Sequence, residues 1–255
     1  MSRRIVVSMP SHPLILLLFF SLAFLPFLWL WIPGVLALAF RALGLSFRQG
    51  FALACSIFIL SLALSFVNVV VKRVPRRMFR VVSELGYIYV FGLPFPVPRL
   101  RVVTGDEMLV TVNLGGAVMP MAAASIMAAL MLLGPQGFLA GVSLLAASLI
   151  VALASYAFSR VVPGLGVAVP TLIPPTVSAL SSLSFTLLLG VAYLAPPIAY
   201  AAAVYGTIVG ADLANLAKCL RDLEASMISI GGAGTFDGIY LSGVVALLLT
   251  LLLTP

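Results

Sequence analysis

Asp212 and Asp237 are the residues of this sequence best placed to do chemistry. The chain has seven acidic residues. Glu84, Asp106, Glu107, Asp222 and Glu224 fall in polar connecting stretches, where a carboxylate is simply solvated. Asp212 and Asp237 instead lie within apolar runs. A carboxylate in hydrocarbon is costly to insert, so such a residue marks a functional site by default. Asp212 precedes Lys218 by six residues, about 9 Å along a helix. Asp237 follows Ile228 by nine, about 13 Å if a helix starts there, and less if the glycines around it unwind the start. On antiparallel neighbouring helices, the two carboxyls reach similar depth.

Two close carboxyls do not ionise together. The ionised member can take a proton from water while the protonated member polarises a carbonyl, giving a hydrolytic pair with no metal and no nucleophilic side chain. Two other roles use the same residues: a buried pair that only ties helices together, and a relay for protons or cations. The surroundings supply supporting candidates. On an ideal helix Asp212 shares a face with Tyr205, Ile208 and Asn215 and points away from Gly206 and Gly210. Gly232, Gly234 and Gly238 surround Asp237, with Tyr240 one turn on. Small residues at this spacing allow backbones to approach closely. Pro170, Pro174 and Pro175 interrupt an apolar stretch, and Asn113, like Asn68, sits near the expected cytoplasmic end of a span, where it can line a polar cavity.

The elements that must hold these residues are membrane spans. Hydrophobic residues make up 63% of the chain and charged residues 8%, with mean hydropathy +1.24. Soluble domains carry about 25% charged residues. Spans of about 20 apolar residues are expected at 14–32, 51–71, 109–133, 138–158, 176–193 and 198–217, with a seventh inside 228–253. The run at 14–32 ends in Trp29 and Trp31 and shows no cleavage pattern, so it reads as a retained span. Residues 33–45 are too short to cross and read as an interfacial or re-entrant helix. Residues 78–108 read as a cytoplasmic insert, with a small β-hairpin over 87–103 broken by Pro94, Pro96 and Pro98. The expectation is thus a single all-α polytopic domain over 1–255, with about seven transmembrane helices.

The formal charge of +7 sets orientation and does not indicate nucleic acid. With the N-terminus inside, Arg3, Arg4, the 72–80 cluster, Arg99, Arg101, Arg160, Lys218 and Arg221 are cytoplasmic, and only Arg41 and Arg48 fall outside. The C-terminus is then expected outside. His12 is the sole histidine, and Cys55 and Cys219 fit no ligand spacing, so no metal or other cofactor is expected. Membrane lipids, and transmembrane peptides as substrates, are the expected partners.

The runs IGGAGTFDGIYLSG (230–243), GADLAN (210–215) and VNLGGA (112–117) resemble an uncharacterised family of prokaryotic polytopic membrane proteins, which implies a prokaryotic cell membrane. More distantly, the last two spans resemble presenilin and signal peptide peptidase, intramembrane aspartyl proteases with one aspartate on the sixth span and one in a Gly-x-Gly-Asp motif on the seventh. That resemblance implies peptide-bond hydrolysis by Asp212 and Asp237. The chain departs from the pattern. Thr235 and Phe236 separate Gly232-Ala-Gly234 from Asp237, and Ala211, not tyrosine, precedes Asp212. The proteases run to nine spans with a late Pro-Ala-Leu motif, a part that only 170–175 can take here. A proton- or cation-coupled transporter or channel is the alternative.

Overall fold

The structure, a computed structural model, describes residues 5–7, 31–90, 93–162, 166–222 and 227–254, with backbone alone at 5–7 and 76–106. The expected first span at 14–32 lies outside the described residues except for Trp31 and Ile32, as does His12. Among the described residues, four helices are long and apolar enough to cross a membrane: Phe47–Leu64 (α2), Leu114–Leu133, Gly137–Phe158 (α4) and Ala192–Leu220. Three shorter apolar helices accompany them: Trp31–Ala42 (α1), Ile173–Leu188 (α5) and Gly238–Leu253 (α8). These are the marks of an integral membrane protein. The outer face of α4 agrees, since Phe138, Leu145, Leu149 and Leu153 are 61–82% exposed. In water such a continuous apolar face would be a liability, whereas in lipid it is ordinary surface.

Helix boundaries follow local chemistry. Ser46 and Gln49 form a reciprocal capping box at the start of α2. Prolines occupy the first turns of Met119–Leu133 (α3), α5 and Ala195–Thr207 (α6), where a missing N–H costs nothing. The helix Ala192–Leu220 is the best buried of the four spans. Every residue from Ala195 to Val204 in it is buried, so it forms the axis of the bundle. Residues Leu36, Ala37, Ala39 and Phe40 of α1 are fully buried. That helix is therefore packed into the bundle through this face, as a re-entrant helix would be.

Two boundaries differ from the hydropathy reading. α2 stops at Leu64, and Val67–Val90 (β2) begins three residues later. Likewise 109–113 belongs to Leu93–Asn113 (β3) and not to the following helix. Valine-rich runs are as apolar as a span but favour extended backbone. β2 and β3 pair antiparallel from Asn68↔Asn113 to Val90↔Leu93, with irregularities near Lys72 and Pro75. Their described ladder is much longer than the short extended runs expected at 87–103. The sheet continues on one side to Ile5–Val7 (β1) and on the other to Met227–Ile230 (β6), which lies parallel to β3. A two-stranded ladder, Arg160–Val162 (β4) with Gly166–Ala168 (β5), links α4 to α5. The last helix starts at Gly238, so Asp237 is its cap and not one of its turns.

Candidate functional site

Asp212 sits in a π-helical segment, Ile208–Leu213, between α6 and Ala214–Asp222 (α7). A π-turn inserts one residue into an α-helix and often accompanies function. Two contacts fix it. Gly210 lies against the backbone of Ala152 on α4, where a Cβ has no room. Asn215 donates through Nδ2 to the carbonyls of Ala211 (2.8 Å) and Gly210 (3.3 Å), and to Ser159 Oγ (2.7 Å). The wider turn separates directions that an ideal helix keeps together. Asn215 therefore points to Ser159 while Asp212 lines a cleft. The expectation that the two share a face is corrected on that ground.

Asp237 is held by a loop. Gly231 and Gly234 adopt positive φ, +73° and +65°, conformations that suit glycine. A tight turn, Gly234–Phe236, closes with the Asp237 amide donating to the Gly234 carbonyl (2.8 Å). The carboxylate then caps α8: Oδ1 accepts from the Ile239 amide (3.0 Å) and Oδ2 from the Ala233 amide (3.2 Å). Underneath, Gly116 lies against the carbonyls of Gly231 and Gly234, with no space for a side chain. Gly116 belongs to a second π-helical segment, Leu114–Val118, capped by the Asn113 side chain.

Both carboxyls, each half-buried, line a single cleft of about 520 Å³. They are near enough for the charge on one to act on the other. Among the described residues nothing donates a hydrogen bond to Asp212, whose oxygens stay open to the cleft. The walls come from α6–α7 (Thr207, Ala211, Leu216, Cys219), β6 and the glycine loop (Met227 to Ala233), and Val167 to Thr171 with Pro174. Among the described residues no cationic side chain lines it. Two of its lining strands reach neighbouring elements: β6 pairs with the base of β3, and β5 pairs with β4 at Arg160.

The supporting residues divide. Pro170, Pro174, Gly232 and Gly238 line the cleft. Tyr205, Asn215, Gly234, Tyr240, Pro175 and Asn113 do not. Tyr205 reaches Ser125 on α3 (2.9 Å between hydroxyl oxygens). Tyr240 is fully buried, and its hydroxyl has no hydrogen-bond partner among the described residues. Pro175 packs inside the first turn of α5. Asn113 donates to the Ser65 carbonyl (2.7 Å) and to Asn68 Oδ1 (3.2 Å) while accepting from the Gly116 amide (2.8 Å). Asn68 is a strand residue, and Asn113 ends β3 and caps the helical turn that follows it; neither lines the cleft. Sequence reasoning missed Thr207, Thr171 and the β6 strand as cleft walls. The four-residue run MISI ahead of a glycine pair was the available signal for the strand. Among the described residues no cluster of metal-ligating side chains occurs.

Fold and site define a helical membrane protein with two carboxyls lining one cleft. Residues 62–249 match the family described as Protein of unknown function (DUF1614), and the chain belongs to that family. Comparison with curated proteins and with solved structures found no match.

Proposed function

We propose that this protein is an intramembrane aspartyl hydrolase that cleaves peptide bonds of membrane-embedded substrates with Asp212 and Asp237. The observation that carries the reading is that both carboxyls line one cleft, within electrostatic reach of each other. Their environments differ in the way an acid–base pair needs. Asp237 receives two backbone N–H groups and lies at the positive end of α8, which favours the carboxylate there. Asp212 receives none, so the shared proton resides on it. Asp237 removes a proton from a water held between them, the oxygen attacks the peptide carbon, and Asp212 protonates the carbonyl oxygen. The neutral gem-diol collapses: Asp237 passes its proton to the departing nitrogen as the C–N bond breaks, and one hydroxyl returns a proton to Asp212. Both residues regain their starting states.

Two further features support the reading. Pro170 and Pro174 border the same cleft, the part suggested for 170–175. β6 is an edge strand of the described sheet, and its residues line the cleft wall. An unwound substrate segment can add to such an edge through main-chain hydrogen bonds, presenting its peptide bond to the carboxyls. On this reading β6 is the edge that would hold the substrate segment. The topology proposed with this activity has seven spans, N-terminus inside and C-terminus outside in a prokaryotic cell membrane, with the cleft cytoplasmic. The asymmetry of the basic residues along the chain supports it.

The test is cleavage of a transmembrane peptide in proteoliposomes. Asp212→Asn and Asp237→Asn should each remove nearly all activity, and the pH profile should fall on both sides of an optimum. Cleavage that persists in Asp237→Asn defeats the proposal. A proton- or cation-coupled transporter is the second reading. α5 and α8 are short helices whose first turns border the cleft, an arrangement that suits ion sites. It requires flux across the proteoliposome that Asp212→Asn abolishes, and no hydrolysis.

A further inference from the structure

The loop carrying Asp237 rests on three hydroxyls with no direct place in the proposed reaction. Ser61 and Ser65 lie at the end of α2, and Thr235 lies two residues before Asp237. Thr235 Oγ1 is 2.9 Å from Ser65 Oγ and 3.0 Å from Ser61 Oγ. The Thr235 amide donates to Ser65 Oγ (3.0 Å). Ser65 Oγ donates to the Ser61 carbonyl (2.7 Å), and Ser61 Oγ to the Gly115 carbonyl (2.8 Å). Ser61 is fully buried and Thr235 is 2% exposed.

Proton counting shows why hydroxyls are needed. Ser61 and Ser65 spend their protons on backbone carbonyls, so the single Thr235 hydroxyl proton is shared between the two serine oxygens. Ser65 Oγ therefore acts chiefly as an acceptor for the loop, taking the Thr235 amide and a share of its hydroxyl proton. An unsatisfied amide in a membrane interior costs several kcal/mol, and an apolar residue at position 65 would leave that amide bare. The node also sits beside a backbone with no slack. A Cβ on Gly234 would meet Ser65 Oγ at 2.6 Å. The tight turn Gly234–Phe236 carries any movement of Thr235 directly to the Asp237 amide and carboxylate.

We infer that Ser65 and Thr235 are positioning residues for Asp237, fixing where its carboxyl stands relative to Asp212. The inference rests on the aspartyl-hydrolase reading for its catalytic meaning but not for its geometric content, so the test reads the carboxyl itself. The full chain in lipid is titrated by infrared difference spectroscopy, with the Asp237 carboxyl signal assigned by its loss in Asp237→Asn. Thr235→Val, which keeps the shape and removes the hydroxyl, should move the Asp237 titration midpoint by about half a pH unit or more. Thr235→Ser should restore it. In the cleavage assay Thr235→Val should lower kcat about tenfold with KM within about twofold. Thr235→Val protein that keeps its thermal midpoint and an unchanged Asp237 signal overturns the inference. If Thr235→Val does not fold, Ser65→Ala, which retains the Ser61–Thr235 contact, is read by the same signal and with the same consequences. A shifted signal in a protein that hydrolyses nothing even as wild type supports the positioning role and defeats the hydrolase reading.

Discussion

Asp212 and Asp237 reach the same cleft from opposite kinds of support. Asp212 rides on the best-buried helix of the bundle, aimed by one π-turn in otherwise regular backbone. Asp237 has no helix under it, only a glycine loop whose bends are fixed by neighbours. Each support nevertheless contains the same two devices. One glycine meets foreign backbone: Gly210 against Ala152 of α4, and Gly116 against Gly231 and Gly234. One asparagine satisfies main-chain groups around a π-turn: Asn215 for Ile208–Leu213, and Asn113 for Leu114–Val118. A helix-borne carboxyl is set by packing and a loop-borne one by hydrogen bonds. The pair is the product of both.

The largest effects should come from the two glycines. A methyl at Gly210 or Gly116 would sit within 3 Å of backbone that cannot rotate away. Overpacking of that kind costs about 1–3 kcal/mol, and more where the obstacle is main chain. Gly210→Ala should part α6 from α4, and Gly116→Ala should lift the Asp237 loop. Thermal unfolding of the detergent-solubilised protein measures both. A thermal midpoint within about 1 °C of wild type for either variant would break the claim that close backbone approach aims that carboxyl.

The asparagines come next. Asn215→Ala leaves the Gly210 and Ala211 carbonyls without their side-chain donor, and Asn113→Ala leaves the Gly116 amide and Ser65 carbonyl without theirs. Each should cost about 1–3 kcal/mol, the desolvation penalty of abandoned polar groups. Their local consequences should differ. Hydrogen exchange should rise around 208–213 in Asn215→Ala and around 114–118 and 231–236 in Asn113→Ala. Exchange that rises in both regions for either variant would mean that the supports are one unit.

Much of this was legible in the sequence, and the rest failed for identifiable reasons. The apolar helices follow from run length and composition, and Pro174 and Pro196 mark the breaks before α5 and α6. The two aspartates stood out because little else in the apolar runs is ionisable. The β2 and β3 boundaries were not legible from hydropathy, because Val67, Val69, Val70 and Val71 score as membrane while their branched side chains favour a strand. The direction of Asp212 was lost to the π-turn, since wheel geometry assumes a constant angle per residue. Gly234 was read as a helix-contact glycine. Its positive φ instead marks a turn, which spacing alone does not distinguish. The contacts of Gly116 and Thr235 are long-range and had no local signal.

Smaller effects are expected where a site candidate proved to face elsewhere. Tyr205 bonds Ser125 at a relatively exposed position away from the cleft. Tyr205→Phe should change stability by less than about 0.5 kcal/mol and leave the cleavage rate within about twofold. A larger kinetic loss would put Tyr205 back beside Asp212, as the ideal-helix geometry had it.

The smallest effect on stability is expected at Gly238, and it separates two accounts of the glycines around Asp237. If they form a small-residue stripe on which helices touch, a methyl at Gly238 should push a neighbour away and cost stability like the one at Gly116. The structure places nothing within 4 Å of a Cβ there, and Gly238 has no positive φ. It is the first residue of α8, immediately after the cap. Alanine is the better helix former by up to about 1 kcal/mol in a helix interior, and by less in a first turn. Gly238→Ala should therefore leave the thermal midpoint unchanged or raise it slightly. Because the residue also borders the cleft, the added methyl projects into space that substrate would share. The expected signature is unaltered folding with a modest rise in KM, about twofold to threefold, and an unchanged kcat, the pattern of lost ground-state binding. A fall in kcat with KM unchanged would mean that Gly238 governs the setting of Asp237 itself, and that the cap, rather than the loop before it, aims the carboxyl.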